Sequence, residues 1–188
     1  MKKYISQWFR VSLWLLLTIC VSLLVMQSVG VGIKAAEKTA APSKVTFYGS
    51  DTSPISSAVA VPTGQAYFWT SGTVPPAINP DAPARTRDRY GDTKTQAIGT
   101  LKQIQTVLQN AGLSLADVIY LRVYLVADPD LNNQVDYQGW FDAYGQFFNT
   151  QTNPTKVARS TVAVAGLVDP GWLIEIEAVA VYPKRGDR

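Results

Sequence analysis

The final third of the chain contains two stretches in which apolar and polar residues alternate, a pattern typical of β-strands. Asp169-Pro170-Gly171 lies between them, and this turn sequence favours a hairpin in which the two strands pair. In the second strand Glu175 and Glu177 share one face, and the even-numbered positions on the other face are more apolar. We therefore expect the even-numbered positions to face helices, and the other face to carry both glutamates together with Arg159 of the first strand.

The patterns upstream predict three short strands, then a helix, a strand and a second helix. Gly112 can end the first helix because glycine readily adopts the left-handed backbone conformation. In chain order the predicted elements are a strand at 45–49, a hairpin of 57–61 and 66–70, a long loop at 73–91, a helix that begins at Asp92 or Thr93 and runs to Ala111, a strand at 118–126, and a helix that begins at Asp128-Pro129-Asp130.

The second helix has an aromatic face that suits packing against a sheet. Its members are Tyr137, Phe141, Tyr144 and Phe148. This order of elements predicts an α+β fold, in which two helices pack on one face of a mixed β-sheet. The opposite face is half apolar and half charged, which suits an interface between subunits.

The N-terminus has the features of a targeting segment. Basic residues, including Arg10, precede a run of 23 residues without charge, Val11–Ile33. This pattern indicates a secretory signal, or a membrane anchor if the segment is retained, because about 20 apolar residues span a bilayer. We expect residues 1–36 to form this segment, 37–44 a linker and 45–188 the folded domain. The domain would be periplasmic or secreted, or anchored to the membrane and facing outside the cytoplasm.

Composition excludes several kinds of site. The chain has no histidine, and its one cysteine, Cys20, lies in the N-terminal apolar run, so we expect no metal site. Four of the 17 basic residues and none of the 14 acidic residues precede Glu37, so the remainder carries 13 positive and 14 negative charges. We therefore expect no nucleic-acid partner.

Arg159 is the strongest candidate for a functional residue. An arginine inside an otherwise uncharged strand needs an anion nearby, which is either Glu175 or Glu177 in an ion pair, or the carboxylate of a ligand. The three arginines of the long loop have two interpretations: a solvated loop, or a border of the ligand cleft that attracts anions. They are Arg85, Arg87 and Arg89.

Several short pieces, spread over roughly residues 50–182, resemble the RidA/YjgF family of reactive-intermediate deaminases. Their order and spacing carry the resemblance more than any single piece does. They are Ser71-Gly72 with Pro75, Gln96, Ala111-Gly112-Leu113 with Asp117-Val118, Val123-Tyr124-Leu125, Tyr144 with Phe147-Phe148, Pro154, Ala158-Arg159-Ser160, and the segment from Glu175 to Val181.

The resemblance implies a chorismate-mutase-like fold and a homotrimer with a cleft at each subunit interface. It implies a cofactor-free enzyme that hydrolyses small 2-imino acids and enamines, such as 2-iminopropanoate and 2-aminoacrylate, to a 2-keto acid and ammonia. Arg159 would bind the substrate carboxylate, and Glu175 would activate the attacking water. The other residues that would line the cleft are Ser71, Gly72, Tyr144 and Ile55.

The chain departs from the family pattern at three positions. Ile55 replaces a tyrosine, Phe141 replaces an asparagine, and Thr161 replaces a residue that is often cysteine. These changes keep the arginine, but they leave a second hypothesis open. The same cleft could bind a small carboxylate without catalysis.

Overall fold

The computed structural model describes residues 40–184 and contains two sheets. The smaller sheet pairs β1 (Thr46–Tyr48) with β2 (Ala58–Ala60). The larger sheet contains β3 (Tyr67–Trp69), β4 (Val118–Leu125), β5 (Ala158–Ala163) and β6 (Ile174–Val181). Its strand order is β3–β6–β4–β5, in which β4 runs parallel to β5 and the other neighbours are antiparallel.

The structure describes three α-helices: α1 (Arg87–Tyr90), α2 (Thr93–Asn110) and α3 (Tyr137–Tyr144). The caps of α2 are those that the sequence predicts. The Asp92 carboxylate accepts a hydrogen bond from the Thr95 N–H at 2.7 Å, and Gly112 beyond the C-terminus has a φ of 73°.

The predicted start of the second helix is wrong. Asp128 does cap a turn, since its carboxylate accepts the N–H of Asp130 at 3.0 Å, but the turn is a short 3₁₀-helix, Pro129–Leu131. Asn132 and Asn133 follow with φ values of 55° and 56°, a left-handed conformation that ends the turn. The α-helix begins only at Tyr137, where Asp136 is the N-cap.

Helices α2 and α3 pack on one face of the larger sheet, as the predicted fold requires. The buried face of α3 differs from the predicted aromatic face, because Tyr137 and Phe141 are 40% and 41% exposed. Tyr144 and Phe148 are buried as predicted, together with Trp140 and Ala143. Residues 140, 143 and 144 lie three or four positions apart and so share the stripe that faces the sheet.

The smaller sheet covers part of the opposite face of the larger sheet. Ile119, Val179 and Val181 are buried there against residues of β1 and β2, among them Phe47 and Val59. We call the remainder of this surface the open face. It carries Trp69, Arg122, Tyr124, Ser160, Val162, Glu175 and Glu177.

Both predicted hairpins are wrong. Strand β5 pairs with β4, and β6 pairs with the other edge of β4, so the segment containing Asp169-Pro170-Gly171 passes from one side of β4 to the other. Similarly, β2 pairs with β1 while β3 pairs with β6. Turn residues indicate where a strand ends, but they do not determine which strand becomes its neighbour.

The N-terminal prediction lies outside the described residues, because residues 1–39 are not among them. Within residues 40–184, no helix has both the length and the apolar character needed to cross a bilayer.

Candidate functional site

Arg159 lies among three aromatic rings of α3. Its guanidinium carbon is 4.4 Å from the ring centroid of Tyr144, 4.8 Å from that of Phe141 and 5.3 Å from that of Trp140. Each distance is within the range of a cation–π interaction, which contributes about 0.5–2 kcal/mol. The rings therefore hold the guanidinium in place without neutralising its charge.

Arg159 forms no ion pair with any other residue of the described segment 40–184, and its Nη1 atom is buried there without a hydrogen-bond partner. Partial burial lowers the pKa of the Arg159 guanidinium, while Tyr144 acts in the opposite direction. Burial raises the pKa of the Tyr144 hydroxyl, and Arg159 partly offsets this effect. A desolvated, unpaired cation of this kind is suited to bind an anion.

The prediction that Arg159 shares a sheet face with Glu175 and Glu177 is wrong. Arg159 pairs in register with Leu121, which is fully buried against the helices. Cross-strand partners project from the same face, so Arg159 also projects toward the helices. Glu175 pairs with Tyr124, an open-face residue. The prediction assumed direct pairing of β5 with β6, whereas β4 lies between them.

The ion pair that sequence alone left open for Arg159 is also absent among the described residues. Glu177 instead accepts a hydrogen bond from Arg122 at 2.6 Å and another from the hydroxyl of Tyr124 at 3.2 Å. Arg122 lies within the predicted strand 118–126, but only the register of β4 against β6 brings it opposite Glu177.

Ile55 and Tyr144 lie on the Arg159 side of the molecule. The hydroxyl of Tyr144 donates to the carbonyl of Pro54 at 3.3 Å. Ser56 follows Ile55, and its N–H donates to the carbonyl of Val157 at 3.2 Å. This bond holds the segment that contains Ile55 beside the start of β5. The Tyr144 ring thus lies beside Arg159, and Ile55 precedes a residue that is bonded to the start of β5.

Glu175, Gly72 and Ser71 form a second group at the other side of the sheet. The backbone of Thr73 forms two hydrogen bonds with that of Ile176, at 2.8 and 3.0 Å, so Ser71 and Gly72 follow β3 alongside β6. A Cβ atom added to Gly72 would lie only 1.7 Å from Oε1 of Glu175. Glycine is therefore required for this close approach of the carboxylate, and the Glu175 carboxylate forms no hydrogen bond or ion pair with other residues of 40–184.

The six predicted site residues thus form two groups that do not meet within one chain. Arg159 and Glu175 are separated by strand β4, which places their backbones two strand spacings, or about 10 Å, apart across the sheet. Their cross-strand partners, Leu121 and Tyr124, lie three residues apart on β4. This offset separates the two backbones by about a further 10 Å in the direction of the strand. The two side chains also project from opposite faces.

Sequence reasoning missed Trp140 as a neighbour of Arg159. Its indole N–H donates to the hydroxyl of Thr161 at 3.2 Å, and its ring packs against that of Tyr144 with centroids 5.7 Å apart. One signal was available, since Trp140 lies four residues before Tyr144 and therefore on the same side of a helix.

Neither interpretation of the three loop arginines is correct for Arg87, which binds two carboxylates. Its Nε lies 2.7 Å from the fully buried Asp128 and its Nη1 lies 2.8 Å from Asp130. Arg89 donates to the carbonyls of Pro80 and Ala82. These contacts hold the long loop in place. Arg85 is exposed, in agreement with a solvated position.

No cluster of three or more metal-ligating side chains is present within residues 40–184. Neither group of predicted site residues includes a set of ligands for a metal or a cofactor. The two groups of described residues present a guanidinium among aromatic rings and a carboxylate.

Comparison with known proteins agrees with the fold. The model of the family described as Endoribonuclease L-PSP matches residues 53–182. A RutC family protein of Pasteurella multocida is 35% identical over 113 residues, which are 60% of this chain and 77% of the relative. The 2-iminobutanoate/2-iminopropanoate deaminase of Escherichia coli is 34% identical over 112 residues, again 60% and 77% of the two chains.

Among solved structures, a conserved Rid family protein of unknown function from Yersinia pestis aligns with a TM-score of 0.56 and 25% identity. The alignment covers 74% of this chain and 99% of that protein. With the family model matching residues 53–182, the chain belongs to the RidA/YjgF family.

Proposed function

We propose that this protein is an exported, cofactor-free deaminase that hydrolyses 2-imino acids, such as 2-iminopropanoate, to 2-keto acids and ammonia. The observation that carries the proposal is the unpaired, partly buried guanidinium of Arg159 among the rings of α3. The activity named for the E. coli relative supports the choice of reaction.

Arg159 is suited to bind the carboxylate of a 2-imino acid. Its planar guanidinium can donate two parallel hydrogen bonds to a carboxylate, and each charge-assisted bond contributes about 1.5–3 kcal/mol. This contact fixes the position of the adjacent imine carbon. The substrate carboxylate also supplies the negative charge that the described residues around Arg159 lack.

Glu175 is suited to activate water. In the proposed reaction the water oxygen forms a bond to the imine carbon while Glu175 accepts a proton from the water. Glu175 passes this proton to the nitrogen, which gives a carbinolamine. Transfer of the carbinolamine hydroxyl proton to the same nitrogen, again through Glu175, accompanies cleavage of the C–N bond, so ammonia leaves and the carbonyl of the 2-keto acid remains. The free carboxylate of Glu175 beside Gly72 supports this role.

We propose that the two groups of residues meet between chains of a homotrimer. Arg159 and Glu175 lie on opposite faces of one sheet, so a shared substrate requires Arg159 of one copy and Glu175 of another. The open face supports such an assembly, because it combines charged residues with exposed apolar ones, including Trp69 and Val162.

The proposal is tested with the purified full-length chain and with 2-aminoacrylate generated in situ by a pyridoxal-phosphate-dependent lyase. The rate of pyruvate formation is compared for the wild type, Arg159→Ala and the exposed-arginine control Arg85→Ala. We expect the wild type and the control to accelerate pyruvate formation and Arg159→Ala not to do so. Full activity of Arg159→Ala would contradict the role of Arg159, and no acceleration by the wild type would contradict the deaminase.

A second candidate function is binding of a carboxylate without catalysis. It is favoured because the polar atoms of the rings around Arg159 already form hydrogen bonds within the chain. The Tyr144 hydroxyl donates to the Pro54 carbonyl, and the Trp140 indole N–H donates to the Thr161 hydroxyl. Within one chain, neither group is free to donate a hydrogen bond to a water. This alternative predicts that 2-keto acids stabilise the protein only when Arg159 is present, and that no ammonia is released from imines.

Export rests on the N-terminal basic and apolar pattern alone. The test is expression of the full-length chain in bacteria, followed by fractionation and intact-mass measurement. We expect the protein in the periplasm after signal cleavage, or in the membrane fraction and accessible to external protease if the segment is retained. Recovery of the uncleaved chain in the cytoplasm would contradict export.

A further inference from the structure

The surroundings of Arg159 within the chain are apolar on the side of α3. Three rings lie with their centroids within 5.3 Å of the guanidinium carbon, and the nearby Ile55 adds an aliphatic side chain packed against the core. No carboxylate or side-chain amide from residues 40–184 forms a hydrogen bond or an ion pair with the Arg159 guanidinium. A ligand held by Arg159 would therefore meet hydrocarbon on the side of α3.

The polar atoms of these rings are already paired inside the chain. The hydroxyl of Tyr144 donates to the Pro54 carbonyl at 3.3 Å, and the indole N–H of Trp140 donates to the Thr161 hydroxyl at 3.2 Å. Phe141 has no polar atom. The surface that α3 offers to a ligand is thus made of ring faces and edges, and a polar substituent packed against it would lose its hydrogen bonds to water without replacement.

Phe141 is the ring that remains accessible. It is 41% exposed, whereas Trp140 and Tyr144 are buried. The ring of Tyr137, 40% exposed, extends this surface, with its centroid 6.4 Å from that of Phe141. An exposed aromatic pair beside a carboxylate-binding cation can cover a large apolar substituent, but it gains little from a methyl group.

We propose that Phe141 makes this site selective for 2-imino acids with a bulky apolar side chain, such as those derived from phenylalanine and leucine, over 2-iminopropanoate. The inference rests on the proposed function, since it assumes that Arg159 binds the carboxylate. A hydrophobic contact of this kind discriminates by about 10- to 200-fold. We expect a preference of at least about tenfold.

The test separates binding from catalysis. The full-length wild type is titrated with pyruvate and with phenylpyruvate, the products of the small and the bulky substrate, and apparent Kd values are obtained from thermal shifts. The same titrations are made with Phe141→Ala, with Arg159→Ala, and with Val107→Ala as a control at another exposed apolar position on a helix. Hydrolysis of the corresponding imines is measured in parallel.

We expect phenylpyruvate to bind the wild type and Val107→Ala at least about tenfold more tightly than pyruvate. We expect Phe141→Ala to lose most of this ratio, and Arg159→Ala to lose the response to both acids. Equal Kd values for the two acids in the wild type, or an unchanged ratio in Phe141→Ala, would overturn the inference.

Failure of the proposed function gives a different result. A chain that hydrolyses no imine but still prefers phenylpyruvate through Phe141 contradicts the deaminase and supports the selectivity. A chain that hydrolyses both imines with equal kcat/KM and shows no binding preference supports the deaminase and overturns the selectivity.

Discussion

Arg159 and Glu175 project from opposite faces of one sheet, with strand β4 between them. Each is unpaired within residues 40–184, although the two carry opposite charges. The long side chain of an arginine extends only about 7 Å, less than the roughly 14 Å that the strand spacing and register imply between the two backbones. Within a single chain the two side chains therefore stay apart.

The contact between Gly72 and Glu175 predicts an effect on activity without an effect on the fold. A Cβ at position 72 would lie 1.7 Å from Oε1 of Glu175, so Gly72→Ala must displace the carboxylate, which is the mobile end of its side chain. We expect kcat to fall at least about tenfold, in line with displacement of a general base. The melting temperature should change little.

Gly166→Ala is the matched control for this substitution, because a Cβ at Gly166 meets no atom within 4 Å. The two variants are compared by steady-state imine hydrolysis and by thermal unfolding. Equal kcat values for Gly72→Ala and Gly166→Ala would show that the carboxylate position of Glu175 does not matter for turnover.

The ion pair between Arg87 and Asp128 predicts a large loss of stability when the arginine is removed. Asp128 is fully buried and its carboxylate receives two hydrogen bonds from Arg87, at 2.7 and 3.0 Å. Arg87→Ala leaves this carboxylate without its cation, which costs about 3 kcal/mol in the free energy of unfolding. Urea denaturation measures the change.

Arg85→Ala provides the comparison in the same loop. Arg85 is exposed and makes only a long hydrogen bond, 3.4 Å, to the carbonyl of Val168. Its removal should change the free energy of unfolding by less than about 0.5 kcal/mol. If both variants unfold at the same urea concentration, the pair does not hold the loop.

The N-cap of α2 predicts a pH dependence of stability. The hydrogen bond from Thr95 holds the pKa of the Asp92 carboxyl below its usual range, with a further contribution from the positive charge of Arg87. A group whose pKa is lower in the folded state stabilises the protein at pH values above its unfolded pKa, about 3.9. This stabilisation is lost as pH falls through the lower folded pKa.

Asp92→Asn isolates this effect, because asparagine retains the cap but does not titrate in this range. We expect the wild type to lose more stability than Asp92→Asn between pH 6 and pH 2.5, as measured by thermal unfolding. Parallel losses in the two proteins would contradict the assignment.

The parts of the fold that depend on local patterns could be predicted from the sequence. Asp92 and Gly112 specify the ends of α2, and the Val-, Ile-, Leu- and Tyr-rich sequence of β4 specifies a strand. The neighbours of each strand could not be predicted, because Asp169-Pro170-Gly171 encodes a change of direction but not the insertion of β4 between β5 and β6.

The candidate site likewise combines features that local sequence predicts with features that depend on contacts between distant residues. Arg159 was identifiable as a charge that needs an anion, and the resemblance implied its role. Its face on the sheet depends on pairing with Leu121, a contact between residues far apart in sequence. The position of the Phe141 ring beside Arg159 likewise depends on how α3 packs against the sheet.

We infer that one active site uses Arg159 of one copy and Glu175 of another. Arg159→Ala and Glu175→Gln chains are purified separately, dissociated and reassociated as an equal mixture, and imine hydrolysis is measured for each alone and for the mixture. If chains combine at random, an interface joins an intact Arg159 to an intact Glu175 in about one case in four. We expect each variant alone to be inactive and the mixture to recover about a quarter of the wild-type rate. A mixture as inactive as its components, with mixed assemblies verified by native mass spectrometry, would contradict it.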